Sequence, residues 1–275
     1  MTRDDFLKLQ QAELEIMDEI HRICELCAIP YYMMGGTGLG AIRHQGFIPW
    51  DVDIDISMLR ADYDRFKQAC ASELDPRFEY KDYLNMPEYD KPHAVVCMRG
   101  TSLTSVFHPF NKRLSDYGIF VDVFPLDNSP DTACEREAHE KAIVRLKRLK
   151  EYKLATCYDA SRLKKAIKEL RRLFLFGVTV DELNQKLDEE MRKYNDRETL
   201  FVCNKAGRYD YETECMPRAV FGTPVLMPFA GREYYAPERL ADYLTHIYGD
   251  YMQLPPIEAR EESMARFQTV TFADS

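Results

Sequence analysis

No stretch of this 275-residue sequence is apolar for long enough to cross a bilayer. The longest such run, Leu173 to Val180, falls well short of the ~20 residues a spanning helix needs and is interrupted by Gly177. The first ten residues lack the apolar core and small-residue cleavage site of a secretory leader, and Asp4 and Asp5 stand beside Arg3 and Lys8. A cytoplasmic protein is the expectation. Metal-type cysteine pairs are also scarce. Of eight cysteines only Cys24 and Cys27 have such spacing, and no second pair completes a tetrahedral set. Reduced thiols suit this spread better than a disulfide framework. Positive charge is in deficit overall: the net charge is −9, which disfavours nucleic acid as a partner because phosphate backbones demand a basic footprint. The exception lies between Arg136 and Arg172, where 13 Lys or Arg stand against 5 Asp or Glu, so this segment is +8 and the rest of the chain −17. It reads either as a solvated helix face or as a patch for a phosphorylated acceptor or for anionic lipid at the inner face of a membrane.

What is present is an ordinary globular balance, 45% hydrophobic and 30% charged. From Asp4 to Ala28 apolar residues recur at helical spacing behind a Thr2/Asp5 capping box, and Pro30 marks the stop. Tyr31 to Met34 reads as a short buried strand leading into glycines, then a brief helix over Thr37 to His44. Asp51 to Ile56 alternates carboxylate and aliphatic, which predicts a strand with one acidic face. Further strands are expected at His93 to Arg99 and Ile119 to Phe124, with a turn over Asp127 to Pro130. Helices follow from Thr132 to Asn195, broken near Asp159–Ala160 and at Gly177. Val225 to Tyr235 reads as strand and turn, and Pro237 to Tyr248 as a helix. The predicted organisation is a catalytic core over residues 1–130, a basic helical region over 131–200, and a C-terminal segment, 201–275, packing back on the core.

Three features suit phosphoryl transfer. Gly35-Gly36-Thr37-Gly38-Leu39-Gly40 leads a strand into a helix N-terminus, where missing Cβ atoms and unpaired N–H groups admit a phosphate; tight packing is the plainer use of such glycines. Asp53 and Asp55 are two apart on one strand face and can share a hard cation such as magnesium, or else form a solvated edge. An EF-hand is excluded, since Ile56 stands where its glycine belongs and Asp62 where its bidentate Glu belongs. Asp122 interrupts the apolar run Ile119 to Phe124, so it either faces an edge or meets a cation or donors. Downstream of Asp53 and Asp55 it would complete a three-carboxylate set for two-metal chemistry. Arg43 and His44 are placed to neutralise a leaving group or to serve as surface and cap residues. His21, His93, His108, His139 and His246 are scattered without ligand spacing and receive no role. The tracts Tyr80 to Tyr89 and Tyr248 to Pro256 read chiefly as packing.

The run Met34-Gly-Gly-Thr-Gly-Leu-Gly-Ala-Ile-Arg-His-Gln-Gly-Phe-Ile-Pro-Trp-Asp-Val-Asp-Ile-Asp, ending at Asp55, closely resembles the signature of the LicD family. The resemblance continues at Phe120-Val-Asp-Val-Phe-Pro-Leu-Asp127 and at Tyr248-Gly-Asp-Tyr-Met-Gln-Leu-Pro-Pro256. It implies an α+β, nucleotidyltransferase (polymerase-β-like) mixed sheet with flanking helices, shared with fukutin-type proteins. It further implies a transferase that moves phosphocholine or a related headgroup from a CDP-linked donor to a cell-surface glycan or glycolipid precursor. Carried over residue by residue, Asp53, Asp55 and Asp122 look like ligands of one or two Mg2+, with Mn2+ as a substitute. Gly35, Gly36 and Thr37 look like a phosphate cradle. Three positions depart from the family pattern: Gly38 where Leu is usual, Gln45 where Lys is common, and Val52 where another Asp is common. The same carboxylates and glycines would also serve an NTP-using nucleotidyltransferase that releases pyrophosphate, or a silent nucleotide-binding scaffold.

Overall fold

The Thr2 hydroxyl accepts from the backbone N–H of Asp5 while the Asp5 carboxylate accepts from that of Thr2, so the expected capping box forms. It opens helix α1 (Arg3–Cys27) in a computed structural model that describes residues 2–105, 117–154, 177–264 and 267–272. Leu9, Ile16, Ile20 and Ile23 form the fully buried stripe of α1, each contributing about 1.5–3 kcal/mol by burial. The helix ends on Ala28, left-handed at φ 50°, two residues before Pro30. The chain continues through β1 (Tyr32–Met33), α2 (Gly35–His44), β2 (Asp55–Leu59), α3 (Arg60–Glu73), β3 (Phe78–Lys81), β4 (Ala94–Met98), β5 (Ser102–Ser105) and β6 (Phe120–Ser129). Helices α4 (Ala133–Leu154) and α5 (Val180–Arg192) follow and pack on each other. Then come β7 (Phe201–Cys203), α6 (Tyr211–Glu214), β8 (Cys215–Pro217) and α7 (Arg218–Phe221). The chain closes with a hairpin of β9 (Val225–Phe229) and β10 (Arg232–Ala236), helices α8 (Leu240–Tyr248) and α9 (Ile257–Met264), and β11 (Phe267–Thr271).

These elements make a mixed α+β fold. Its main sheet has the order β1-β2-β6-β4-β3, with β7 pairing β6 and β8 pairing β7. Strand β2 runs parallel to β6, whereas β1, β4 and β7 pair their neighbours antiparallel. Helices α1 and α3 cover the sheet through contacts to β2, β4 and β6. The C-terminal part reaches back along much of the chain. Tyr32 donates its hydroxyl hydrogen to the Gly222 carbonyl, Arg232 pairs with Asp18 at 2.8 Å, and β10 lies against β1.

Three boundaries differ from the sequence reading. Helix α2 begins at Gly35, so the first two glycines lie inside its opening turn instead of ahead of it. The acidic strand enters the ladder only at Asp55; Val52 and Ile54 are nevertheless buried and Asp53 exposed, so the alternation of faces persists outside the ladder. The turn expected over Asp127 to Pro130 is instead the far end of β6, which runs to Ser129. Asp127 is tolerated there because Arg60 grips both its carboxylate oxygens at 2.7 Å and Asn195 donates to it at 2.6 Å. The break expected near Asp159 lies outside the described residues, as does the second half of the basic segment. Among the described residues no helix is long and apolar enough to cross a membrane.

Candidate active site at an acidic sheet edge

Parallel pairing sets Asp55 of β2 directly opposite Asp122 of β6, so the register itself brings two of the three expected carboxylates together. Asp53, two residues upstream, stays on the same side of its chain because the intervening Ile54 is buried at 1% exposure. Asp53 presents an exposed edge to solvent, yet its proton affinity is well above the usual 3.8. Protein packed behind it is the main cause, followed by Asp51 and Asp55. Asp55 is raised in the same way, first by burial and then by Asp122 and Asp51. The four carboxylates therefore repel one another at neutral pH.

Asp122 behaves differently. Burial alone would raise it, but Lys91 and His93 outweigh that and hold it at about 2. Both donate to the same oxygen, Oδ1, at 2.8 Å. Burial keeps His93 below its usual proton affinity despite Asp122. The ring rests on Phe124 at a centroid distance of 4.0 Å. His93 thus has a part at the site that its sequence position did not suggest, because its partner is a strand away. Lys91 was missed for the same reason.

The glycines admit carboxylates. A Cβ on Gly35 would lie 3.4 Å from an Asp55 oxygen, and one on Gly36 would lie 3.1 Å from an Asp51 oxygen. Gly35 also takes φ +55°, which L side chains rarely adopt. Asp51 and Asp55 accordingly sit at the positive end of α2, whose dipole offsets part of their repulsion. The Gly35 N–H donates to the Tyr243 hydroxyl at 2.9 Å, and the Thr37 hydroxyl accepts from the Asp55 N–H at 2.8 Å. Thr37 therefore fixes the start of β2. Gly40 has a separate use: a side chain there would overlap the Gly46 carbonyl.

Arg43 and His44 lie at the other end of α2. Arg43 donates to the Tyr251 carbonyl at 2.7 Å and to His44 Nε2 at 2.9 Å, and it faces Trp50 together with Arg260. Arg43 thus holds the Tyr248 to Pro256 segment down, and Tyr248 reaches within 3.8 Å of the Gly35 Cβ position. That segment staples the C-terminal part to α2 while walling one side of the acidic edge. Tyr80 and Tyr89 are buried, which answers the packing reading of their tract.

A further carboxylate was missed outright. Glu13 of α1 is 2% exposed, its Oε2 has no hydrogen-bond partner among the described residues, and its charged form is opposed first by burial and then by Asp53, Asp51, Asp122 and Asp55. Its helical spacing hides it among core positions between Leu9 and Ile16.

Among the described residues, no three His, Cys, Asp or Glu side chains form a ready-made ion cage. Magnesium does not require one, because it keeps waters and substrate phosphate oxygens and takes only one or two carboxylates from the protein. The all-oxygen donor set, the mutual repulsion and the unpartnered Glu13 oxygen fit a hard divalent cation.

A mixed sheet carrying aspartates at adjacent parallel strand ends, beside a glycine-opened helix, is thus in place. Residues 28–138, which contain every one of these aspartates, match the family model described as LicD/FKTN/FKRP, nucleotidyltransferase domain. Over that stretch the chain is similar to the LicD family. Among its relatives is the lipopolysaccharide cholinephosphotransferase LicD of Haemophilus influenzae, 29% identical over 251 residues that cover 89% of this chain and 90% of that protein. Shorter likenesses join it to uncharacterized proteins of Rickettsia typhi, 41% identical over 54 residues (20% of this chain, 18% of that protein), and Rickettsia prowazekii, 36% identical over 69 residues (25% and 24%).

Proposed function

We propose that this LicD-like enzyme transfers phosphocholine, or a closely related phosphoryl-linked headgroup, from a CDP-linked donor to a glycan or glycolipid acceptor of the lipopolysaccharide type. The observation that carries the reading is the Asp55–Asp122 register with Asp53 beside it, in a chain alike along most of its length to a cholinephosphotransferase. The mixed sheet with acidic strand ends is also what a nucleotidyltransferase-like fold would present, in keeping with the description of the matching family model.

Asp53 and Asp55 would hold magnesium against the donor diphosphate. When bound, the ion supplies charge neutralisation for the phosphoryl oxygens and the leaving group. The acceptor hydroxyl oxygen forms a bond to the β-phosphorus as the bond from that phosphorus to the bridging oxygen breaks. CMP leaves with the bridging oxygen and its electron pair, and the hydroxyl proton passes to a carboxylate of the set. Asp122, kept ionised by Lys91 and His93, is a weak base, so its part is electrostatic. Tyr243 and Thr37 orient the helix end and the strand start on which the carboxylates depend. The positive residues of α4 suit an anionic membrane-borne acceptor.

The test is incubation with CDP-choline, Mg2+ and lipopolysaccharide acceptors, following CMP release and choline incorporation. Asp53→Asn and Asp55→Asn are each expected to lower turnover by about 100-fold or more, beyond the loss usual for residues that only support a ligand. Wild-type turnover in both variants overturns the site. Pyrophosphate release from an NTP, with none of the CMP-forming reaction, would instead identify a nucleotidyltransferase.

A further inference from the structure

The aspartate edge is not the whole of the acidic site. Helix α1 crosses behind the 51–55 loop, and Gln10 fixes that approach by donating to the Asp51 carbonyl at 3.0 Å. One helical turn further on, and so on the same face, stands Glu13. It is buried to 2% exposure on the core side of α1, among residues such as Leu9, Ile16 and Met17 that are all apolar. A carboxylate in such a place is costly unless it is partnered, and its Oε2 has no hydrogen-bond partner among the described residues. Among the described residues no cation pairs with it, in contrast to Asp122 with Lys91 and His93 or Asp127 with Arg60. The groups that bear on it are Asp53, Asp51, Asp122 and Asp55, all of its own sign. A packed core position has no use for a charge set against four others, whereas a divalent ion shared with Asp53 would satisfy the unpartnered oxygen.

We propose that Glu13 completes the divalent-cation site, its Oε2 serving as an oxygen donor to the ion behind Asp53. This rests on the cation role of Asp53 and Asp55 proposed above. It also extends the site beyond residues 28–138, the part that matches the family model, to a helix that the aspartate motif does not include. The first helix then has a function besides filling the core: it sets the depth at which the ion sits.

Mn2+ binding decides the matter, read directly by electron paramagnetic resonance of the free ion and by calorimetry, without any transfer assay. Glu13→Gln keeps the volume and removes the charge; Glu13→Asp keeps the charge and withdraws the oxygen by one methylene. Both are expected to weaken Mn2+ binding by about 10-fold or more. Melts recorded without cation check that each variant folds, and Glu13→Gln is expected to melt at or above the wild-type temperature because a repulsion has been removed. If Glu13→Asp binds Mn2+ as wild type does, the residue acts only through space and the proposal is overturned. Unchanged binding in Glu13→Gln overturns it as well. A wild-type protein that takes up no Mn2+ removes the cation reading of the aspartates themselves, a different failure that the same titration distinguishes.

Discussion

Asp122 sits between opposing influences: the surrounding protein disfavours its charge, while Lys91 and His93 favour it more strongly. Its folded-state value of about 2 lies below the usual 3.8, so it adds stability that is fully present above 3.8 and is lost as pH falls toward 2. The shift corresponds to roughly 2 kcal/mol. Asp122→Asn is therefore expected to flatten the acid limb of a urea-midpoint against pH curve between those values, by about that amount. A wild-type limb in the variant would show that Lys91 and His93 do not act on this carboxylate. At this scale the site was half legible. Asp53, Asp55 and Asp122 stood out because each breaks or alternates with an apolar run. Lys91 and His93 did not, because their meaning lies in a partner on another strand. Glu13 did not, because a polar residue inside a helical stripe looks like an imperfection of the pattern until its neighbours are known.

Strand β6 joins two polar tasks at opposite ends of one element. Near its start Asp122 serves the acidic edge, and at its far end Asp127 is sealed against Arg60 with 0% exposure. Removing one partner of such a pair leaves an uncompensated buried charge. Asp127→Ala is expected to cost about 3–5 kcal/mol in chemical denaturation, with the loss falling on stability and not on cation affinity. A loss below about 1 kcal/mol would show the pair to be solvated. The mistaken turn over Asp127 to Pro130 has the same origin: Asp, Asn and Ser favour turns by bonding their own backbone. Here Arg60, Asn195 and Arg218 occupy those side chains instead, leaving the backbone to pair with β7. Helix α1, by contrast, was legible to within a residue or so, since its cap and its stripe are local. Gly40 gives a second test at this scale. Because a Cβ would strike the Gly46 backbone, Gly40→Ala is expected to destabilise by about 1–3 kcal/mol, measured by thermal melting.

The molecule as a whole carries several carboxyl groups, Glu13, Asp53 and Asp55, whose proton affinity is raised on folding. Without a cation they oppose folding at neutral pH, and that opposition is relieved as pH falls through their raised range toward the ordinary carboxylate range near 4. Below that, Asp122 and Asp127, which folding shifts the other way, take over and stability declines. Cation-free protein is thus expected to be most stable at mildly acidic pH. Millimolar Mg2+ is expected to raise the melting temperature most near neutrality and least near pH 4, where protons compete for the same oxygens. A cation effect that is independent of pH would place the ion elsewhere.

The parallel pairing of β2 with β6 has one more consequence. Parallel neighbours cannot be joined by a tight hairpin, so the chain must traverse α3, β3, β4 and β5 before Asp122 can meet Asp55. A ribosome-bound chain that has exposed α1, α2 and β2 already displays most of the acidic groups but lacks β6, against which β2 pairs, and with it Asp122 and its Lys91 and His93 donors. Under the proposed cation role, affinity for the ion would be a late acquisition of the growing polypeptide, and ion uptake would report completion of the central sheet.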